Sequence, residues 1–159
     1  MNLLLTFILI LTSVGAAYGQ KDYQGTLKKA NSGDAEAQSR IAFMHLMVAD
    51  GADWLYDDVP KASKEQNRAL SVRWYSLAAN QGNSQGQFVL GIYYSSGTGV
   101  KQDKVEAYKW FKLAQPGKKG HISHEKTIHK FLAELEVELT ASQLVEAKKR
   151  IQSFRPKGK

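Results

Sequence analysis

The sequence predicts an all-α fold: a short solenoid of αα-hairpins with a C-terminal capping helix pair. Two internal matches and one turn predict it. Trp74-Tyr75-x-Leu77-Ala78 returns 36 residues later as Trp110-Phe111-x-Leu113-Ala114. Gly33-Asp34 returns 49 residues later as Gly82-Asn83. Ser95-Ser96-Gly97-Thr98-Gly99 suits a tight reversal, because glycine accepts positive φ. A fixed period of about 20–50 residues marks a repeat architecture. One hairpin cannot bury its own apolar face, whereas stacked hairpins bury a continuous core.

Residues 1–20 carry no charged side chain, and Leu3 to Leu11 is strongly apolar. Ala17 and Gly19 then stand before Gln20, the small-residue pattern of a signal-peptide cleavage site. We therefore expect a signal peptide over residues 1–19 and a periplasmic or secreted mature chain. The alternative is a retained anchor, but the run is shorter than the about 18 apolar residues that a span needs. No integral membrane span is expected after removal of the signal. No cysteine is present, so neither a lipid-anchored cysteine nor a disulfide holds the chain. Residues 20–159 are the size of one ordinary domain.

Lys21 to Ala30 is the first predicted helix, with Tyr23, Leu27 and Ala30 on one face. Asp34 caps the next, from Ala35 to about Met47. Against the second repeat, the first carries an insertion at 50–63. It holds Asp50, Asp53, Asp57 and Asp58 beside Trp54, Leu55 and Tyr56. Long loops in compact domains are often functional, so a recognition loop or a weak cation site is one reading. The other is a solvated acidic loop whose Trp54 packs on the neighbouring hairpin. The spacing does not fit an EF-hand calcium loop. Asn67 occupies the position of Asp103, which predicts a helix from about Arg68 to Asn80 with Leu70, Trp74, Leu77 and Ala78 inward.

Asn83 is the next N-cap, opening a helix to about Ser95. Gly86, Leu90, Gly91 and Tyr94 share one face. A glycine inside a helix costs roughly 1 kcal/mol against alanine, so close helix–helix approach should offset it at Gly86 and Gly91. Asp103 and Glu106 form a capping-box pattern for a helix from about Lys104 to Leu113. Its inward face is Ala107, Trp110, Phe111 and Ala114, and Pro116-Gly117 stops it. His121 to Leu139 reads as one helix with Ile128, Phe131, Leu132, Leu135 and Leu139 apolar. Thr140 and Gln143 form a second capping box, and a last helix runs to about Phe154. This pair, within 121–154, covers the end of the stack. Residues 155–159 read as a frayed tail.

The pattern from residue 67 to 115 resembles the Sel-one-like repeat (SLR) family, a subclass of the tetratricopeptide-like α-solenoids. Gly97-Thr98-Gly99-Val100-Lys101-Gln102-Asp103 and Trp110-Phe111 carry the resemblance, and a weaker match extends over 21–115. Repeat 1 spans about 33–81 and repeat 2 about 82–117. The resemblance implies a right-handed all-helical scaffold that mediates protein–protein contacts, usually without catalysis. In such folds the first helix of each hairpin lines the concave side. Residues rotated off the packed face of that helix here include Phe88, Val89 and Ile92, with Phe43 one repeat earlier. They form the predicted binding wall for a protein or peptide, because exposed apolar surface rimmed by polar groups marks interaction sites. The alternative is that Phe88 and Ile92 pack on the C-terminal cap or the insertion.

The net charge of +7 lies in residues 101–159, which hold fourteen basic and seven acidic side chains. Residues 21–100 hold eight of each. Such asymmetry suggests an anionic partner. Export argues against nucleic acid, leaving an anionic envelope component, or else a basic cap that only keeps the chain soluble. Catalytic signals are weak. His121, His124 and His129 lie near Glu125, but none is paired at the i, i+4 spacing of the zinc helix motif. Ser123-His-Glu-Lys126 matches S-x-x-K without the companion S-D-N and K-T-G elements. We expect no catalytic residue, no metal and no cofactor. A small envelope hydrolase using these residues is the minor alternative.

Overall fold

The computed structural model describes residues 22–115 and 124–157. The expected signal peptide, the Pro116-Gly117 stop, His121 and Ser123 lie outside the described residues. Seven helices follow in order among the described residues. They are α1 (Tyr23–Asn31), α2 (Ala35–Ala49), α3 (Lys64–Asn80), α4 (Ser84–Ser96), α5 (Lys104–Ala114), α6 (Glu125–Glu138) and α7 (Ala141–Ser153). Neighbours in sequence pack as neighbours in space from α1 to α5. The fold is the all-α stack of hairpins that the period predicts.

The repeat is visible in its hydrogen bonds. Asp34 accepts from the Ala37 amide and Asn83 from the Gly86 amide, both at 2.8 Å. The side-chain amide of Gln38 donates to the Ala30 carbonyl at 3.1 Å, and that of Gln87 to the Ala79 carbonyl at 3.2 Å. Both glutamines are buried, so each satisfies a helix-end carbonyl that water does not reach. Gly33 and Gly82 make the turns at φ 94° and 87°, a conformation that a side chain would strain. These matches equate α1 with the end of α3. Helix α1 thus stands to α2 as the end of α3 stands to α4. Its positions Gln24, Lys28, Lys29 and Asn31 are exposed.

Small residues set the helix spacing. A Cβ built on Gly86 would lie 2.9 Å from the Ala79 nitrogen and 3.0 Å from the Tyr75 oxygen. Here the backbones of α3 and α4 touch, which is why glycine sits inside a helix at this position.

Three expectations about α3 and α4 change. Helix α3 begins at Lys64, capped by Ser63 in a capping box with Gln66, not at Arg68. Its buried positions are Asn67, Ser71, Tyr75, Ala78 and Ala79, one step round from the expected face, and Leu77 is 42% exposed. The small residues Ser71, Ala78 and Ala79 let α2 and α4 approach on this arc. In α4 it is Tyr93, not Tyr94, that is fully buried, and its hydroxyl meets Ser71 Oγ at 2.8 Å. The expected inward face of α5 is buried throughout.

Helices α6 and α7 both rest on α5. Ile128, Leu132 and Leu135 seal one side and Ala147 the other. The Tyr108 hydroxyl donates to Glu136 at 2.8 Å. Arg150 donates to Glu106 at 3.0 Å and to Glu146 at 2.8 Å, binding α7 to the first turn of α5. Trp110 meets Phe154 edge-on at 5.7 Å. The described part of the tail, residues 155–157, is tied down and not frayed as expected. The Lys157 amide donates to the Asn80 carbonyl at 2.8 Å, supplying a partner to the open end of α3.

Candidate functional site

Three of the four residues of the predicted binding wall are buried. Phe43 and Phe88 are each 2% exposed and Val89 is 1% exposed. Ile92 is half-buried against the core. Phe43 meets the ring of Tyr56 edge-on at 6.2 Å. Phe88 stacks on His124 at 4.6 Å and packs on Phe111 at 6.1 Å. The insertion therefore covers one end of the wall and the residue that opens α6 covers the other. Burying such aromatics in the chain's own segments removes their apolar area from water.

The insertion is pinned to the repeats at several points. Tyr56 and Val59 are 6% and 5% exposed. Asp50 accepts from Arg68 at 3.1 Å. Asp58 accepts from the Tyr23 amide at 2.7 Å, placing a carboxylate at the positive end of α1. Trp54, in contrast, is 75% exposed. It does not pack on the neighbouring hairpin. The loop holds an indole out into solvent, with the exposed carboxylates of Asp53 and Asp57 beside it in sequence.

Beneath the insertion lies a buried polar chain that sequence reasoning missed. The Tyr23 hydroxyl meets His45 Nε2 at 3.2 Å, and His45 Nδ1 meets Asn67 Oδ1 at 2.8 Å. Asn67 in turn donates to the Ala62 carbonyl at 3.2 Å. One neutral tautomer satisfies all of this: Tyr23 donates to Nε2 and Nδ1–H donates to Asn67. Burial lowers the His45 pKa, opposed by the Asn67 bond. The signal was a lone histidine in the apolar run Phe43-Met44-His45-Leu46, with Asn67 read only as a cap.

The other candidates separate. His124 is buried and its pKa is lowered by that burial, while His129 is exposed and lies 3.9 Å from Glu125. These two histidines do not converge, and no group of three His, Cys, Asp or Glu side chains among the described residues could hold a metal. Lys126 is exposed, and its S-x-x-K partner Ser123 lies outside the described residues. In the basic part, Lys104 pairs with Glu138 at 3.0 Å and Lys130 with Glu134 at 3.9 Å. Lys126, Lys148 and Lys149 are exposed and form no ion pair with described residues. No helix among the described residues is long and apolar enough to cross a membrane.

Comparison with known proteins follows these boundaries. The family model for the Sel1 repeat matches residues 35–83 and 84–114, which begin directly after the caps Asp34 and Asn83. A curated protein, the chitin synthase regulator SKT5 of Saccharomyces cerevisiae, is 31% identical over 85 residues. The match takes in 54% of this chain and 11% of that protein, so the chain spans about a tenth of its relative's length. A solved structure, c5321, a protective antigen of uropathogenic Escherichia coli strains displaying an SLR fold, aligns with a TM-score of 0.48 at 23% identity. That alignment takes in 83% of this chain and 32% of that one.

Proposed function

The chain belongs to the Sel1 repeat family, and from that membership we propose that it is an exported, non-catalytic scaffold that holds a partner protein, with the insertion of repeat 1 as its recognition element. The presentation of Trp54 carries this reading. The loop is anchored by Tyr56, Val59, Asp50 and Asp58, so ordering it on binding costs little conformational entropy. An exposed tryptophan on a pinned loop is the kind of aromatic anchor that dominates interface energy. The uncharged apolar start followed by small residues supports export. A curated relative is itself named as the regulator of an enzyme, which accords with a non-catalytic role. Capture of proteins from the native envelope fraction tests the reading. Trp54→Ser should lose the captured partner with the melting temperature unchanged. Capture that ignores Trp54 counts against it.

A second reading, binding of an anionic envelope component, is favoured by Lys126, Lys148 and Lys149, which are exposed and form no ion pair with described residues. It predicts binding to phosphatidylglycerol vesicles that falls with salt and with Lys148→Glu/Lys149→Glu, and that Trp54→Ser leaves unchanged.

A further inference from the structure

Among the described residues the exposed large apolar side chains are Trp54, Leu77, Val137 and Val145. Two of them stand in opposite electrostatic surroundings. Trp54 lies in the stretch 50–58, which holds four aspartates and no basic residue. The carboxylates of Asp53 and Asp57 are exposed and form no ion pair with described residues. Val145, 67% exposed on α7, has Lys148 and Lys149 at i+3 and i+4, on its own helix face. Both lysines are exposed, and the nearby Glu146 is taken by Arg150 at 2.8 Å. One anchor thus has exposed negative charge beside it in sequence and the other exposed positive charge on its own helix face. Complementary charge around complementary apolar contacts is what sets partner choice and register.

We propose that the partner of the Trp54 tip is a second copy of this chain, the tip of one molecule seating on the Val145–Lys148–Lys149 face of another. The proposal rests on the insertion being the recognition element. The two patches are different parts of the surface, and seated head to tail they make a heterologous contact. Each molecule offers its tip to one neighbour and its α7 face to another. A heterologous contact that does not close into a ring grows into open chains. Its charged part is screened by salt.

Sedimentation velocity of the purified protein over a concentration series decides the matter. At low salt the average mass should climb with concentration past the dimer, and at high salt fall back toward the monomer. Trp54→Ser should weaken association by about tenfold or more, as loss of an aromatic anchor does. Asp53→Lys/Asp57→Lys and Lys148→Glu/Lys149→Glu should each weaken it alone. Mixed together, these two variants again present opposite charges and should associate with each other. All the substituted side chains are exposed, and melting curves check that each variant folds. A chain that stays monomeric at low salt overturns the proposal. So does association that Trp54→Ser leaves intact, or that the mixed charge-swapped pair fails to restore. A monomer that still captures another protein through Trp54 overturns self-association alone. A monomer whose capture ignores Trp54 overturns the recognition loop as well.

Discussion

The ring of Phe111 fills the space that a side chain at Gly91 would need. A Cβ at Gly91 would lie 2.6 Å from Cδ1 of that ring. Phe111 is fully buried and is stacked on Phe131 at 4.9 Å, so it has nowhere to retreat. The contact locks α4 against α5, the two helices of repeat 2.

Gly91→Leu should therefore destabilise the protein severely. Overpacking typically costs roughly 1–3 kcal/mol, and more where neighbours cannot move. Gly91→Ala should fall within that range even though alanine favours helices. Urea midpoints of the two variants against the parent check this. An unchanged midpoint for Gly91→Leu would mean that α4 and α5 do not pack as described.

Phe88→Ala should behave as a core substitution and not as the loss of a binding contact. Truncating a buried phenylalanine costs roughly 3–5 kcal/mol. The loss includes its stacking on His124 and its packing on Phe111. Ile92→Ala, at a half-buried position, should cost clearly less. Thermal melts of both, run beside partner capture, give the comparison. A Phe88→Ala protein with the parent's melting temperature and lost capture would restore the wall as a binding surface.

Stability should fall as the solution is acidified below about pH 6.5, the ordinary histidine pKa. His45 and His124 are both buried, and their folded pKa values lie below the ordinary value for that reason. The unfolded chain then binds more protons than the folded one in this window. Stability is fully present above the unfolded pKa and is lost as pH falls through the folded values. Urea midpoints measured between about pH 7.5 and pH 5 should drop for the parent, and drop less steeply for His45→Gln/His124→Gln. Equal slopes would assign the acid sensitivity to other groups.

Asn67→Ala should cost more than a surface substitution. It leaves the buried His45 Nδ1–H without its acceptor, and an unsatisfied buried donor costs roughly 1–3 kcal/mol. Hydrogen exchange should show α1 opening more readily, because Tyr23 hangs on the same histidine. Unchanged protection in α1 would show that its other contacts suffice.

The mature protein should begin at or near Gln20 and be found outside the cytoplasm. N-terminal sequencing of material from the native host, with fractionation, reads this directly. A soluble cytoplasmic protein starting at Met1 would exclude export.

What the sequence determined by itself is the local grammar of the repeat. Asp34, Asn83, Asp103 and Thr140 each cap the helix that follows, accepting from an amide three residues on. Such bonds lie within one turn and are written in adjacent residues, as are the positive-φ turns at Gly33 and Gly82. The Ser63–Gln66 box was equally legible, but the alignment of Asn67 with Asp103 masked it. The tertiary structure alone decided which arc of α3 is buried, where Phe43 and Phe88 find their partners, and that Trp54 stays exposed. It also decided the contacts of Asp58 with Tyr23, His45 with Asn67, and Lys157 with Asn80. Each joins residues more than twenty positions apart, so no periodicity announces it. These contacts close only once the hairpins stack, because stacking removes water and leaves each buried polar group to find its partner inside the protein.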